Sequence, residues 1–332
     1  MSAEHVLRVF LTVDTELWPT VPDWPSRPLP ADKADFADEI AADIHGQTGA
    51  GAFGLPFQIA GLNRHGLRAS YFVEALFAAR AGPAPLAHIA ALVQSGGHEV
   101  QLHLHTEWLG ELDDPELPPS HCQYLSELPL EQQTVLIRKG LANLAAAGVP
   151  RVQAFRAGSY GGNLDTLRAL ARNGIAIDSS YNAAFVNGDW GGRRLAQPQA
   201  IDGVWEFPIA SFGDFPGHAR HAQLCACSFG EMRDALQGAW RAGWYAFVIV
   251  LHSFELVKKR GAGRPPTPHR LNIRRFEQLC AFLGQHRERF RTSLFSELPL
   301  DAMPAIPPQQ AVRAMWFNSL RRVAEQGWSR FR

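Results

Sequence analysis

The sequence predicts an α/β fold with a mostly parallel sheet or barrel. Segments rich in β-branched and aromatic residues alternate with amphipathic segments along the chain, which is the pattern of repeated βα units. The chain has 332 residues, and α/β barrels of more than about 200 residues commonly form one domain. Because about seven or eight strands are predicted from the apolar runs, a barrel is favoured over a small open sheet.

Short apolar runs predict the strands, and apolar residues at helical spacing predict the helices. The predicted strands are 6–13, 68–73, 99–105, 152–155, 175–178, 204–209, 245–251 and 291–295. The predicted helices are 56–65, 84–95, 128–147, 164–173, 229–242 and 273–286. Strand and helix therefore alternate over most of residues 1–300, which we expect to be one barrel domain.

Two parts of the chain lie outside this alternation. Residues 17–54 are rich in proline and glycine, and the prolines between 19 and 30 exclude regular structure there, so we expect a lid or rim over the strand ends. The tail, 301–332, is predicted to be helical, with one apolar stripe formed by Val312, Trp316, Leu320 and Val323. We expect this stripe to pack on the barrel or on a second copy, giving a homo-oligomer, in preference to membrane contact.

Composition excludes several classes of partner and location. The 32 basic and 32 acidic residues balance, so nothing global attracts nucleic acid or an anionic membrane. We expect no membrane span, because no uninterrupted apolar stretch reaches about 18 residues. The four cysteines, at 122, 225, 227 and 280, form no disulfide framework, and a reducing, cytoplasmic location is expected.

Polar side chains gather where the predicted strands end. If residues 99–105 are extended, Gln101, His103 and His105 share one face, while Val100, Leu102 and Leu104 share the other. In βα folds the strand ends form the site, and here they carry carboxylates, imidazoles and one guanidinium: Asp14, Glu16, His103, His105, Arg156, Asp178 and His252. This set is typical of metal-dependent hydrolases, although each residue could instead be a helix cap, an ion pair or a turn residue.

Five segments, in this order, resemble the motifs of the polysaccharide deacetylase superfamily, the NodB-like carbohydrate esterases. They are LTVD at 11–14, GHEV at 97–100 followed by His103, FRAGSY at 155–160, DSS at 178–180 and VLH at 250–252. The resemblance implies a distorted (β/α)7 barrel. The chain departs from the common motifs at Thr15, where a second Asp is usual, and at Glu107, where a second His is usual.

The resemblance also implies roles for the residues of the strand ends. Asp14 would be the catalytic base, Arg156 would orient it, and His252 would be the general acid. The metal, Zn²⁺ by ligand type, would be held by Glu16 or Asp14 with His103 and His105, and Glu107 would be a further ligand or would support one. Backbone N–H groups near Ser159 and Tyr160 would stabilise an oxyanion, and Asp178 would lie on the substrate side.

These observations predict a metal-dependent hydrolase that removes an N-acyl group, most simply acetyl, from a sugar or polysaccharide precursor. In motif texture the chain looks most like deacetylase-like proteins encoded with bacterial surface-polysaccharide genes. Two alternatives remain open: a sugar-binding pseudoenzyme, because the second Asp and second His are missing, and a metal-dependent hydrolase of a non-sugar amide. Neither the sugar nor the metal is specified by the sequence.

Overall fold

A curled parallel sheet organises the chain. The computed structural model describes residues 5–119, 121–258, 265–307 and 311–330. Its strands are β1 Leu7–Thr15, β2 Gln47–Thr48, β3 Gly51–Ala52, β4 Ala69–Glu74, β5 Glu99–Leu104, β6 Ala154–Ala157, β7 Ile177–Asp178, β8 Gln199–Ile201, β9 Val204–Glu206, β10 Ser211–Phe215, β11 His218–His221, β12 Ala246–His252, β13 Val257–Lys258, β14 Thr267–Pro268 and β15 Phe290–Thr292. Its α-helices are α1 Ala37–Glu39, α2 Leu55–Arg64, α3 Ala78–Ala81, α4 Pro83–Ser95, α5 Leu130–Ala146, α6 Leu164–Arg172, α7 Phe229–Arg241, α8 Arg270–Gln285 and α9 Trp316–Arg330.

Seven parallel strands form the wall of the barrel, in the order β12-β1-β4-β5-β6-β7-β9. β15 also pairs with β1, and β8 adds an antiparallel strand beside β9. Between β9 and β12 the wall closes through isolated bridges, one of which joins Ile209, just after β9, to Val248 of β12. The predicted distorted (β/α) barrel is therefore confirmed, and the distortion lies between β9 and β12.

The barrel interior is filled with aromatic rings at one end and polar groups at the other. Phe10 and Phe295 stack with their centroids 4.7 Å apart, and Phe207 packs edge-on against both. The guanidinium of Arg156 lies 4.4 Å from the centroid of the Phe72 ring. Apolar packing thus gives way to polar contacts at the level of Arg156, toward the carboxyl ends of the strands.

The outer face of the sheet is buried under the helices, as the alternation in residues 99–105 predicts. Leu102 and Leu104 point outward from β5 and are fully buried. At Gly140 of α5, a Cβ atom would lie 2.7 Å from a Leu104 methyl and 2.9 Å from a Leu102 methyl. Glycine at this position lets the helix lie close to β5, which leaves the alternate residues of the strand facing the interior.

The proline-rich insertion has more regular structure than the sequence predicts. Residues 19–30 contain neither helix nor strand, but α1 runs into a π-helical turn, Ile40–Ile44, and β2 pairs with β3. Buried carboxylates hold the loop in place: Asp43 accepts a hydrogen bond from the Trp18 N–H at 3.0 Å, and Glu39 accepts one from the Thr20 N–H at 3.1 Å. These carboxylates satisfy backbone groups that the prolines leave without a sheet or helix partner.

The tail helix, α9, contacts α7 and β10. The sequence predicts that its apolar stripe packs on the barrel or on a second copy. On this chain Trp316, Leu320 and Val323 are exposed, and of the four stripe residues Val312, which precedes the helix, is buried. Polar residues occupy the inward face instead. In the described part of the chain no helix is both long and apolar enough to cross a membrane.

Candidate metal centre

The ends of three strands bring the predicted site together. Glu16 follows β1, His103 lies in β5 with His105 just beyond it, and His252 ends β12. Since β12 and β1 are neighbours in register, with Asp14 opposite His252, and β4 alone separates β1 from β5, these side chains meet inside one rim of the barrel.

Three of them converge on a single point. Oε1 of Glu16 lies 3.4 Å from Nε2 of His103 and 3.3 Å from Nε2 of His105. All three side chains are buried, and their ligand atoms lie within 4.8 Å of one another. Asp14, Glu16 and His252 form a second such group, so Glu16 belongs to both.

The hydrogen-bond partner of Nδ1 in each imidazole ring determines whether Nε2 can bind a metal. Nδ1 of His103 lies 2.8 Å from the carbonyl oxygen of Arg156, which can only accept, so Nδ1 carries the hydrogen and Nε2 presents a lone pair. Nδ1 of His105 lies 3.2 Å from Oε2 of Glu107. With Nδ1 of each ring engaged, the two Nε2 atoms and the Glu16 carboxylate form a donor set that fits a divalent ion such as Zn²⁺.

The position of Glu107 distinguishes between its two predicted roles. Its carboxylate contacts Nδ1 of His105, on the side of the ring that faces away from Glu16. It therefore fits the role of a residue that orients His105 better than the role of a ligand. Gly158 leaves room for the same ring, because a Cβ atom there would lie 2.7 Å from His105 Cγ.

Charge coupling within the cluster is strong. Burial acts to raise the pKa of Glu16, but the facing His105, His103 and His252 outweigh it and hold that pKa well below its usual value. Burial acts to lower the pKa of His105, yet Glu16 and Glu107 raise it well above its usual value. A carboxylate that attracts positive charge this strongly is suited to bind a cation.

Asp14 and Arg156 form a buried ion pair inside the barrel. Nη1 of Arg156 donates to Oδ1 of Asp14 at 2.6 Å and to Oγ1 of Thr12 at 2.9 Å. The other nitrogens donate to Ser179, Nε to its carbonyl oxygen at 2.9 Å and Nη2 to its hydroxyl at 3.0 Å. Arg156 thus connects β1, β6 and the end of β7, and it fixes one oxygen of Asp14.

His252 is held by a chain of hydrogen bonds. Nε2 of His221 lies 2.7 Å from Oε1 of Gln223, and Nε2 of Gln223 donates to Nδ1 of His252 at 3.3 Å. Nδ1 of His252 therefore accepts, and Nε2, which lies 3.8 Å from Glu16, carries the hydrogen. Glu255 supports the same turn, since it accepts from the backbone N–H groups of His252 and Cys225.

Ser159 and Tyr160 form an unusual turn after β6. Both have left-handed backbone conformations, with φ of 53° and 55°, which non-glycine residues seldom adopt. The hydroxyl of Tyr160 is buried, and no hydrogen-bond partner for it lies among the described residues. Burial and the nearby Asp14 raise the pKa of this hydroxyl. Tyr160 therefore lies near Asp14, the residue predicted to be the base.

Asp178 does not join the cluster. In β7 its neighbour Ile177 faces the barrel interior, so Asp178 points the other way, in register with the outward-facing Phe155. Its fully buried carboxyl group pairs with that of Glu206 on β9. Burial raises the pKa of both groups, a direction that favours protonation of the pair. The expected contact of Asp178 with substrate is not supported by this geometry.

Three further residues, which the sequence did not indicate, lie against the site. Nε1 of Trp18 donates to Oε2 of Glu16 at 2.6 Å, and its ring lies 4.7 Å from that of His105. Glu74 accepts from the backbone N–H of His105, and burial raises its pKa to about 8. The third is Gln223. Only Glu74 had a visible signal, since it directly follows a predicted strand; Trp18 and Gln223 lie in segments without a readable pattern.

Comparison with known proteins finds solved structures with a similar fold. No protein-family model and no curated protein matches the sequence. A structure described as that of a candidate polysaccharide deacetylase from Mycobacterium smegmatis has 18% sequence identity and a TM-score of 0.51, over 95% of this chain and 96% of that one. A family 4 carbohydrate esterase from Streptomyces lividans has 13% identity and a TM-score of 0.42, over 93% and 99%. The first match and the seven-stranded barrel together show that this chain has the fold of the polysaccharide deacetylases.

Proposed function

We propose that the protein is a metal-dependent hydrolase that removes an N-acyl group, most simply acetyl, from a sugar or polysaccharide precursor. The convergence of Glu16, His103 and His105 carries the proposal, because both rings have their Nδ1 atoms engaged and their Nε2 atoms turned to one carboxylate. The fold shared with a candidate polysaccharide deacetylase supports a carbohydrate substrate.

In this proposal Glu16, His103 and His105 hold the ion, and Glu107 keeps His105 oriented. When bound, a divalent ion, Zn²⁺ by ligand type, supplies Lewis-acid polarisation of the acyl carbonyl and acidifies water. Trp18 restricts the second oxygen of Glu16 through its Nε1–H. Oε1 is then the oxygen left to face the two histidines.

Asp14 acts as the general base. Its Oδ1 is fixed by Arg156, so the other oxygen, Oδ2, takes the proton from the attacking water. The buried guanidinium keeps this carboxylate in one orientation through contacts on three chain segments. Asp14 is thus positioned before substrate arrives, which removes part of the entropic cost of the reaction.

His252 acts as the general acid on the opposite side. Its Nε2 faces the cluster, and Gln223 holds the ring through Nδ1. In the imidazolium form the ring gives its Nε2 proton to the departing amine and becomes neutral. The backbone at Ser159 and Tyr160 supplies N–H groups for the oxyanion, and the ring of Tyr160 lines the cleft beside Asp14. The substrates we favour are surface-polysaccharide precursors. Four free cysteines fit a cytoplasmic enzyme.

Acetate release tests this function directly. Purified protein is incubated with N-acetylated amino sugars, N-acetylated nucleotide sugars and simple amides, before and after chelation and after Zn²⁺ is restored. We expect release from a sugar substrate that chelation abolishes and Zn²⁺ restores. Release from simple amides alone would reject the sugar assignment, and tight metal and sugar binding without any release would identify a pseudoenzyme.

A further inference from the structure

The tail helix α9 is attached to the barrel by its polar side. Nε of Arg322 donates to Glu231 at 3.0 Å, and its Nη2 donates to Asp214 at 3.1 Å. Nδ2 of Asn318 donates to Oδ2 of Asp234 at 2.6 Å. Asn318, Ser319 and Arg322 are all buried. Among the described side chains, hydrogen bonds and ion pairs with α7 and β10 therefore hold the helix in place.

Its apolar side faces solvent. Trp316 is 68% exposed, Phe317 49%, Leu320 51% and Val323 53%. At about 100° per residue these four side chains, called here the apolar face, cover an arc of roughly 120° on the helix. A surface helix normally has the opposite arrangement, with apolar residues inward. An apolar face of this kind marks an interaction site.

The charges beside the apolar face are basic. The side chain of Arg321 is 64% exposed, and Arg313, just before the helix, is exposed as well. Glu325 is largely buried, and it binds Arg274, Arg275 and Arg321 together. Three guanidinium groups thus share one carboxylate. Although the whole chain has no net charge, this region carries local positive charge around an aromatic and aliphatic surface.

Two occupants could cover such a face, a second copy or a membrane surface. From residue 316 to residue 327 the helix is roughly 17 Å long and about 10 Å wide, so a contact between two such faces would bury roughly 200 Å² on each, against about 800 Å² per partner in stable interfaces. A two-fold contact would also bring the basic edges of both copies together. An anionic bilayer has neither disadvantage. Its negative headgroups neutralise the arginines, and the aromatic rings of Trp316 and Phe317 can insert at the boundary between headgroups and acyl chains.

We propose that α9 docks the protein on the surface of an anionic lipid bilayer. The helix lies in the plane of the interface, with the apolar face at the boundary between headgroups and acyl chains and with Arg313 and Arg321 among the headgroups. Its polar side stays on the barrel, so docking needs no unfolding. Gln326 donates to the carbonyl oxygen of Cys225, whose N–H binds Glu255 beside His252, so docking also fixes the distance of the active-site rim from the lipid.

Sedimentation with vesicles tests this proposal on the full chain. We expect binding to phosphatidylcholine vesicles that contain phosphatidylglycerol, weaker binding at high salt, and little binding to phosphatidylcholine alone. Leu320→Glu combined with Val323→Glu places two acids on the apolar face and should reduce binding at least tenfold. Val6→Glu is the matched control, since Val6 is 39% exposed elsewhere on the barrel, and it should bind as the wild type does.

A milder variant tests the proposal with less risk that the protein misfolds. Arg321→Gln keeps the apolar face intact, and it should weaken binding to anionic vesicles about fivefold, the share of one basic residue near such a surface. Absence of binding to anionic vesicles would overturn the proposal, and so would an equal loss in Val6→Glu. Dimerisation that depends on Leu320 and Val323, without vesicle binding, would assign the face to a second copy and would also overturn it.

Discussion

Two groups of buried carboxylates lie at strand ends of the same parallel sheet, and they face opposite sides of it. Asp14 and Glu16 point into the barrel, where they meet imidazoles and a guanidinium. Asp178 and Glu206 point outward, where each meets the other. Inside, the neighbouring histidines keep the pKa of Glu16 low. Outside, burial raises the pKa of both groups, and Asp178 raises that of Glu206 further.

This difference shows that the end of a strand does not by itself make a residue functional. Side chains alternate between the two faces of a strand, so one residue of displacement moves a carboxylate from the cleft to the layer under the helices. Ile177 and Phe207 occupy the interior in the two strands concerned. The outward pair therefore contributes to structure, and the inward group lies beside the imidazoles and the guanidinium that the proposed chemistry needs.

The largest expected effect is on catalytic activity, and it distinguishes the inward carboxylates from the outward pair. Asp14→Asn removes the proposed base while it keeps the side-chain volume, and kcat should fall about 10²- to 10⁴-fold with metal content unchanged. Asp178→Asn is the matched change on the outer face, and kcat should stay near the wild-type value. Acetate release with parallel metal analysis measures both. Equal losses in the two variants would remove the distinction between the faces.

The next effect concerns stability. Arg156→Met keeps an unbranched side chain over Phe72 but leaves Asp14 buried without its partner. Removing one member of a buried ion pair costs about 3–5 kcal/mol, and we expect a free energy of unfolding lower by that amount. Urea unfolding measures it. A loss below about 1 kcal/mol would mean that water reaches Asp14 and that the pair is effectively exposed.

A smaller effect concerns the orientation of His105. Glu107→Gln retains an oxygen beside Nδ1 but removes the negative charge. Loss of such a supporting carboxylate typically weakens metal binding by about 10- to 100-fold, and we expect this range in a competition titration with a chelator dye. Glu111→Gln, a change at a carboxylate that binds Leu29 and Arg80 instead, should leave the metal affinity unchanged. A complete loss of metal in Glu107→Gln would make Glu107 a ligand.

The smallest effect lies on the outer face. The pKa of Glu206 is raised in the folded protein, so the folded state holds its proton more tightly than the unfolded state does. This contribution to stability is complete below the unfolded pKa, about 4.3, and is lost as pH rises through the folded pKa. Glu206→Gln mimics the protonated group, so its free energy of unfolding should fall less between pH 5 and pH 9. Identical pH profiles would show that the pair carries no shared proton.

The sequence predicts the barrel and most of its inner cluster for a clear physical reason. The alternation in HLH and the motif order place His103, His105, Glu16 and Arg156 on one face, and strand geometry then brings them together. The same alternation, applied to Ile177, would have placed Asp178 outside. Trp18 and Gln223 could not be predicted, because both lie in irregular segments. The contacts of Trp18 with His105 and of Gln223 with His252 also span long sequence distances. The reversed polarity of α9 arises from Asp214 and Glu231, which are distant in sequence from Arg322.

The central claim is that the inward cluster holds a divalent ion. Metal analysis after equilibration with Zn²⁺, compared between the wild type and Glu16→Gln, tests it most directly, with Asp178→Asn as the control. We predict one ion per chain in the wild type and in Asp178→Asn, and at least a hundredfold weaker binding in Glu16→Gln, because Glu16 is the carboxylate that both histidines share. A wild-type protein without a stoichiometric ion, or a Glu16→Gln variant that binds as tightly, would contradict it.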